Sequence, residues 1–155
     1  MEGIELKRIN ENNNGELPKL TKILITVIDV KNPKEVLFKT KEIMKIVSQF
    51  AYSKDWPSDK EWKTILPNCF VESMTSKSLE YIMKTKGQWH FESWVANIKD
   101  RAWLWYSSKV ENDRVEFVLE TLSIPYLFST FVYIIYSQGI PMKNIIIKDD
   151  VYDEI

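Results

Sequence analysis

The feature that most limits what this chain can become is the stretch from Trp89 to Ile135, which holds four of its six tryptophans. Apolar runs at Trp94–Ile98, Ala102–Tyr106 and Val115–Leu119 are short and separated by polar breaks. Runs of that length, rich in rings and β-branched residues, read as strands. The spacing predicts a long β-hairpin or meander over Trp89–Leu122. One turn falls at Lys99–Arg101, or the strand passes through it with a bulge; a second falls at Glu111–Arg114. The denser run Ile124–Tyr136 reads as a helix, opened by Ser123-Ile124-Pro125 and closed by Gly139.

Leu20–Val30 is rich in β-branched residues and predicts a buried strand. Asn32 then supplies an N-cap and Pro33 a first helical residue. Beyond them Val36, Leu37, Thr40, Ile43, Met44, Val47, Phe50 and Ala51 recur at helical steps. They form the apolar face of a helix of about five turns, with Lys34, Lys41 and Lys45 toward water. Residues 53–86 read as a helical insert. Ser58 and Glu61 make a capping box ahead of a short helix carrying Trp62, Ile65 and Leu66, and Pro67 stops it. A second short helix is expected over Lys77–Thr85, ending at Gly87. Lys143–Lys148 is a last strand. Residues 1–19 are an edge strand or a loose leader, and residues 149–155 are an acidic tail.

The expected fold is therefore α+β in a single domain, residues 1–155. It has a mainly antiparallel sheet with helices on one face and a ferredoxin-like βαββαβ order carrying the helical insert. A chain of 155 residues buries roughly 70% of its unfolded surface. It needs no covalent staple, and Cys69, the sole cysteine, can form no intrachain disulfide and no cysteine-built zinc site.

Several classes of function recede on composition. A formal net charge of −1 argues against general nucleic-acid binding. The first eight residues lack the basic-then-apolar layout of a signal peptide. The 13-residue run Ile124–Tyr136 falls short of the roughly 20 residues that span a bilayer. A cytoplasmic protein with no membrane partner is expected.

Catalytic patterns are sparse. His90 is the only histidine, so a Ser or Cys nucleophile using an imidazole base would depend on it, with Cys69 as the thiol candidate. The plainer reading is a packed residue beside Trp89 and Phe91. Glu92, Asp100, Glu116 and Glu120 are the acids from which a hydrolytic pair could be drawn. Glu116 and Glu120 share a strand face and read more simply as a solvated stripe. Asp149, Asp150, Asp153 and Glu154 offer oxygen ligands without the order or glycine of a calcium loop. The four glycines are isolated, so no phosphate-cradling loop is present. No cofactor and no metal are expected. Trp103 and Trp105 alternate with Leu104 and Tyr106. If the latter pair faces the core, the two tryptophans face outward as a binding hot spot; otherwise they are core. An RNA-stacking sheet would need the basic, glycine-containing signature that this strand lacks.

Trp62–Phe70, Glu92–Trp94, Asp100–Trp105, and a helix opened by Ile124-Pro125 and closed by Gly139 together give a pattern that resembles small cytoplasmic immunity proteins. These belong to bacterial polymorphic or contact-dependent toxin systems, and the resemblance spans residues 20–148. It implies a non-enzymatic α+β protein that binds and neutralises a cognate toxin made by the same cell. The partner-binding candidates are Trp103, Trp105, Asp100, Asp149, Asp150, Asp153 and Glu154. Two other readings stand beside it. One is an interaction or regulatory module, as a monomer or as a homodimer built through the sheet face. The other is a small hydrolase-type enzyme using acidic residues.

Overall fold

The computed structural model describes residues 3–11, 21–50, 55–121 and 127–150. Helix α1 (Ile4–Glu11) precedes strand β1 (Lys22–Val27) and helix α2 (Pro33–Phe50). Four helices follow: α3 (Asp59–Ile65), α4 (Asn68–Thr75), α5 (Leu79–Lys84) and α6 (Phe91–Lys99). Strands β2 (Trp103–Glu111) and β3 (Arg114–Thr121), helix α7 (Ser129–Tyr136) and strand β4 (Ile145–Asp150) complete the order. The strands form one four-stranded sheet, β2-β3-β1-β4, with every neighbouring pair antiparallel.

Local chemistry explains most boundaries. The Asn32 side chain accepts from the Glu35 amide at 3.2 Å and so caps α2 ahead of Pro33. Ser58 and Glu61 form the reciprocal capping box of α3, each bond 3.2 Å long. Asn112 sits at φ +55 in the β2–β3 turn, a left-handed position that asparagine tolerates. Gly139 (φ +85) follows α7 as expected. The Ser123–Pro125 opening lies outside the described residues.

Two expectations are corrected, and the helical insert gains a helix. Trp94–Ile98 is not a strand; it belongs to α6, and the meander contracts to the β2–β3 hairpin. Phe91, Trp94, Val95 and Ile98 sit on one helical face and are all buried. Trp94 is pinned there by its indole N–H, which donates to the Thr130 carbonyl at 3.0 Å. Residues 4–11 are neither edge strand nor loose leader but a docked helix. The segment around Phe70 is helical too, with Phe70, Val71 and Met74 of α4 turned into the core.

One face of the sheet carries Ile23, Ile25 and Val27 of β1 beside Val115, Phe117 and Leu119 of β3. Against them pack Val36, Ile43, Met44 and Val47 of α2 and the apolar side of α7, in one continuous cluster. Phe131 of α7 is the hub. Its ring meets Trp103, Phe117 and Trp105 edge-on, with centroids 5.3, 5.2 and 6.1 Å away. Such contacts contribute about 0.5–1.5 kcal/mol each beyond the area they bury. On the opposite face Leu104 and Val118 are also buried, outside that cluster.

The two edges of the sheet are finished differently. At β2 the Trp105 N–H donates to Glu5 Oε2 at 2.7 Å, and the Trp105 carbonyl accepts from Arg8 at 3.4 Å. Helix α1 thus supplies by side chains the pairing that a further strand would give. Glu5 is buried and forms an ion pair with Arg101, itself buried at φ +47 just beyond α6. Within this buried pair Glu5 Oε1 and Arg101 Nε and Nη1 have no hydrogen-bond partner. Burial outweighs the neighbouring Arg101 guanidinium and the Trp105 amide, so the Glu5 carboxyl is raised above its ordinary range.

Two outcomes follow for this clamp. Glu5→Ala, which strands the Arg101 charge, should lower unfolding free energy by about 3–5 kcal/mol in urea titrations. Because the folded-state value lies above the ordinary 4.5, the folded chain holds a proton that the unfolded chain has lost. Stability from Glu5 is therefore greatest below 4.5, falls as pH rises through the raised value, and then levels. Denaturation midpoints of the wild type should accordingly lose ground to those of Glu5→Gln as pH rises; the opposite slope would show that Arg101 outweighs burial.

Candidate docking surface

Of the two placements open to Trp103 and Trp105, the structure shows the core one. Trp103 is 2% exposed and Trp105 0%; both point toward Phe131, as core residues. Alternation holds over this stretch, with Leu104 buried on the opposite face, and the register shifts only beyond it, at a bulge between Trp105 and Ser107. Asp100 is exposed as the C-cap of α6, while its neighbour Arg101 turns inward. Asp149 and Asp150 lie on β4; their side chains, together with Asp153 and Glu154, lie outside the described residues.

The catalytic candidates are scattered. His90 Nδ1 lies 3.0 Å from Glu92 Oε2, and Lys63 Nζ lies 3.9 Å from Glu92 Oε1, all three side chains about half exposed. That is a surface charge cluster at the start of α6. Cys69 is exposed on α4. Glu116 and Glu120 are half-buried on β3, and Glu120 pairs with Arg8 at 3.5 Å. Among the described residues, no group of three or more His, Cys, Asp or Glu could hold a metal ion.

What stands out instead is α5. None of its residues is buried. It presents Leu79 at 65%, Tyr81 at 43% and Met83 at 78% exposure. The helix is nonetheless well made: the Ser78 hydroxyl caps the Tyr81 amide at 3.1 Å, and Lys84 pairs with Glu80 at 2.7 Å. Its apolar side chains are thus displayed on a fixed frame. Lys77 Nζ sits 5.2 Å from the centre of the Tyr81 ring, a cation–π contact that orders the ring.

Tyr81 also forms one wall of a cleft of about 390 Å³ between α4, α5 and α7. Tyr136, Lys77, Glu72 and Pro141 complete its rim. Its floor is a closed polar node. The Ser73 hydroxyl donates to the Phe70 carbonyl at 2.6 Å, so the 2.7 Å contact with Tyr133 has the phenol as donor. Gln88 Nε2 then donates to the Tyr133 oxygen at 3.1 Å. Burial raises the Tyr133 phenol above its ordinary range, more than these two hydrogen bonds lower it. The node holds a neutral hydroxyl, and what the cleft offers a partner is rings, hydroxyls and one charge of each sign. A second recess of about 320 Å³ lies across the Gly139–Pro141 turn, lined by Lys31, Asn32, Glu35 and Lys39.

The α5 surface had a sequence signal: Leu79, Tyr81 and Met83 do not fall on one helical face, so a short helix there cannot bury them together. Compared with protein-family models, curated proteins and solved structures, the chain matches none.

Steady-state fluorescence checks the placement of the rings: Trp103 and Trp105 should stay shielded from aqueous quenchers in the folded chain. Trp105→Ala should cost about 3–5 kcal/mol of stability, as for other buried large rings. Tyr133→Phe should cost about 1–3 kcal/mol by stranding the polar groups of the node. In an ultraviolet titration it should also remove a phenol that ionises only above about 10.

Proposed function

We propose that this chain is an immunity protein of a bacterial toxin system, acting by binding a cognate toxin domain in the cytoplasm without chemistry of its own. The observation that carries this reading is α5, an ordered helix that buries no side chain, holds Leu79 and Met83 at the solvent one turn apart, and sets Tyr81 in the wall of a ring-lined cleft. Aromatic and methionine side chains of that kind are enriched at the centre of protein interfaces. Because α5 is already folded, little ordering entropy is lost on docking. The toxin would lay an apolar segment over α5, with Lys77 and Glu72 on the rim fixing its orientation. We also read the fold at its finer level as ferredoxin-like. The strand order β2-β3-β1-β4, with α2 and α7 as the paired helices and α3 to α6 as the insertion, supports that reading.

Co-expression with the toxin domain encoded beside this gene should restore growth. Leu79→Glu combined with Met83→Glu should weaken the purified complex by at least about 30-fold, the scale of a lost hot spot. The same pair should leave the melting temperature nearly unchanged, since exposed positions shift stability by about 0.5 kcal/mol or less. A complex indifferent to both substitutions would remove α5 from the interface, and growth that is not restored would remove the toxin reading for that pair.

A further inference from the structure

We propose that β4 is a self-pairing edge, through which two copies of this chain join their sheets into one. The backbone phase carries the inference. Ile28 N–H donates to the Asn144 carbonyl at 2.9 Å, directly across the β1–β4 register. In an antiparallel pair the bonded positions alternate, so Asn144, Ile146 and Lys148 bond toward β1. The N–H and carbonyl groups of Ile145, Ile147 and Asp149 therefore point away from it. At the other edge the equivalent outward groups of Trp105 are taken up by Glu5 and Arg8 of α1. Among the described residues β4 is the last strand of the sheet, with nothing paired beyond it. The charges that blunt a sheet edge are confined to its far end, Lys148 to Asp150, and the leading half is isoleucine, with Ile146 and Ile147 48% and 41% exposed.

A second copy fits this strand about a two-fold axis, which passes through one residue of it, whether that residue bonds outward or toward β1. Centring on Lys148 or Asp149 opposes two like charges, which is unfavourable across a strand pair. Centring on Ile145 overlaps only the beginning of the strand. Centring on Ile146 sets Ile146 against its own copy and exchanges backbone bonds between Ile145 and Ile147. Centring on Ile147 sets Ile147 against its own copy and Ile145 against Asp149, with both backbone bonds exchanged at each of these positions. On the other face it lays Ile146 against the aliphatic stem of Lys148. The occupant is thus another molecule of the same chain, aligned isologously.

The test is light scattering over a dilution series, paired with amide exchange on the same samples. The molar mass should rise twofold with concentration. Over the same range the amides of Ile145 and Ile147, which bond outward in either register, should become protected, while those of Ile146 and Lys148, already bonded to β1, should not change. Ile147→Pro removes one outward donor and no bond to β1, so it should hold the chain at the monomer mass; Ile147→Lys repeats the test should the proline disturb folding. A monomer throughout the series overturns the proposal. So does a dimer without the alternating protection, or one that survives a folded Ile147→Pro.

Discussion

A sheet of four strands has two edges, and each edge leaves a row of backbone donors and acceptors that must find partners. At β2 the solution is Glu5. Its carboxylate takes the Trp105 amide and the Arg101 guanidinium together, while Arg8, one turn on, serves the Trp105 carbonyl. A helix N-terminal to the whole sheet is thereby tied to the residue just beyond α6, nearly a hundred positions away. The arrangement carries a cost, since the carboxyl is desolvated and the Nε and Nη1 atoms of the guanidinium have no hydrogen-bond partner. It persists because undocking α1 would open the edge of the very strand that carries Trp103 and Trp105.

Those two rings show why the clamp matters to the core. They meet Phe131 from the sheet side, and Phe131 lies in the middle of an α7 whose residues from Thr130 to Ile135 are all buried. The insert is joined to the same centre: Phe70 of α4 packs edge-on to Trp94 of α6 at 4.8 Å, and Trp94 bonds the backbone of α7. Each inserted helix except α5 contributes buried side chains to the cluster. That exception leaves Leu79, Tyr81 and Met83 displayed on one small, capped element beside a cleft. A body held rigidly from within can afford such a surface, because docking then demands no folding.

Much of this was legible from residues alone. β-Branched content marked β1, Asn32-Pro33 and the three-four periodicity marked α2, and the Ser58–Glu61 box marked α3. The β2–β3 turn fell where the polar break placed it. Helix α6 was legible and misread: Phe91, Trp94, Val95 and Ile98 follow helical steps, but tryptophan and valine also suit strands, and a nine-residue run is short enough for either period to fit. Helix α1 was hidden for a different reason. Its burial rests on Glu5, and a glutamate in a polar-looking stretch reads as solvated unless its distant partners are known.

The amino-acid sequence by itself determined the α+β character and the places where the chain turns, because caps, prolines and periodicity act over a few neighbouring residues. Only the tertiary structure decided that Trp103 and Trp105 face inward, that Glu5 closes one sheet edge, and that α5 stays at the surface. Each of those outcomes depends on which groups meet across the fold: the face of β2 that α7 covers, a carboxylate with partners a hundred residues away, and a core already filled by other helices. None of these is encoded within reach of a local window.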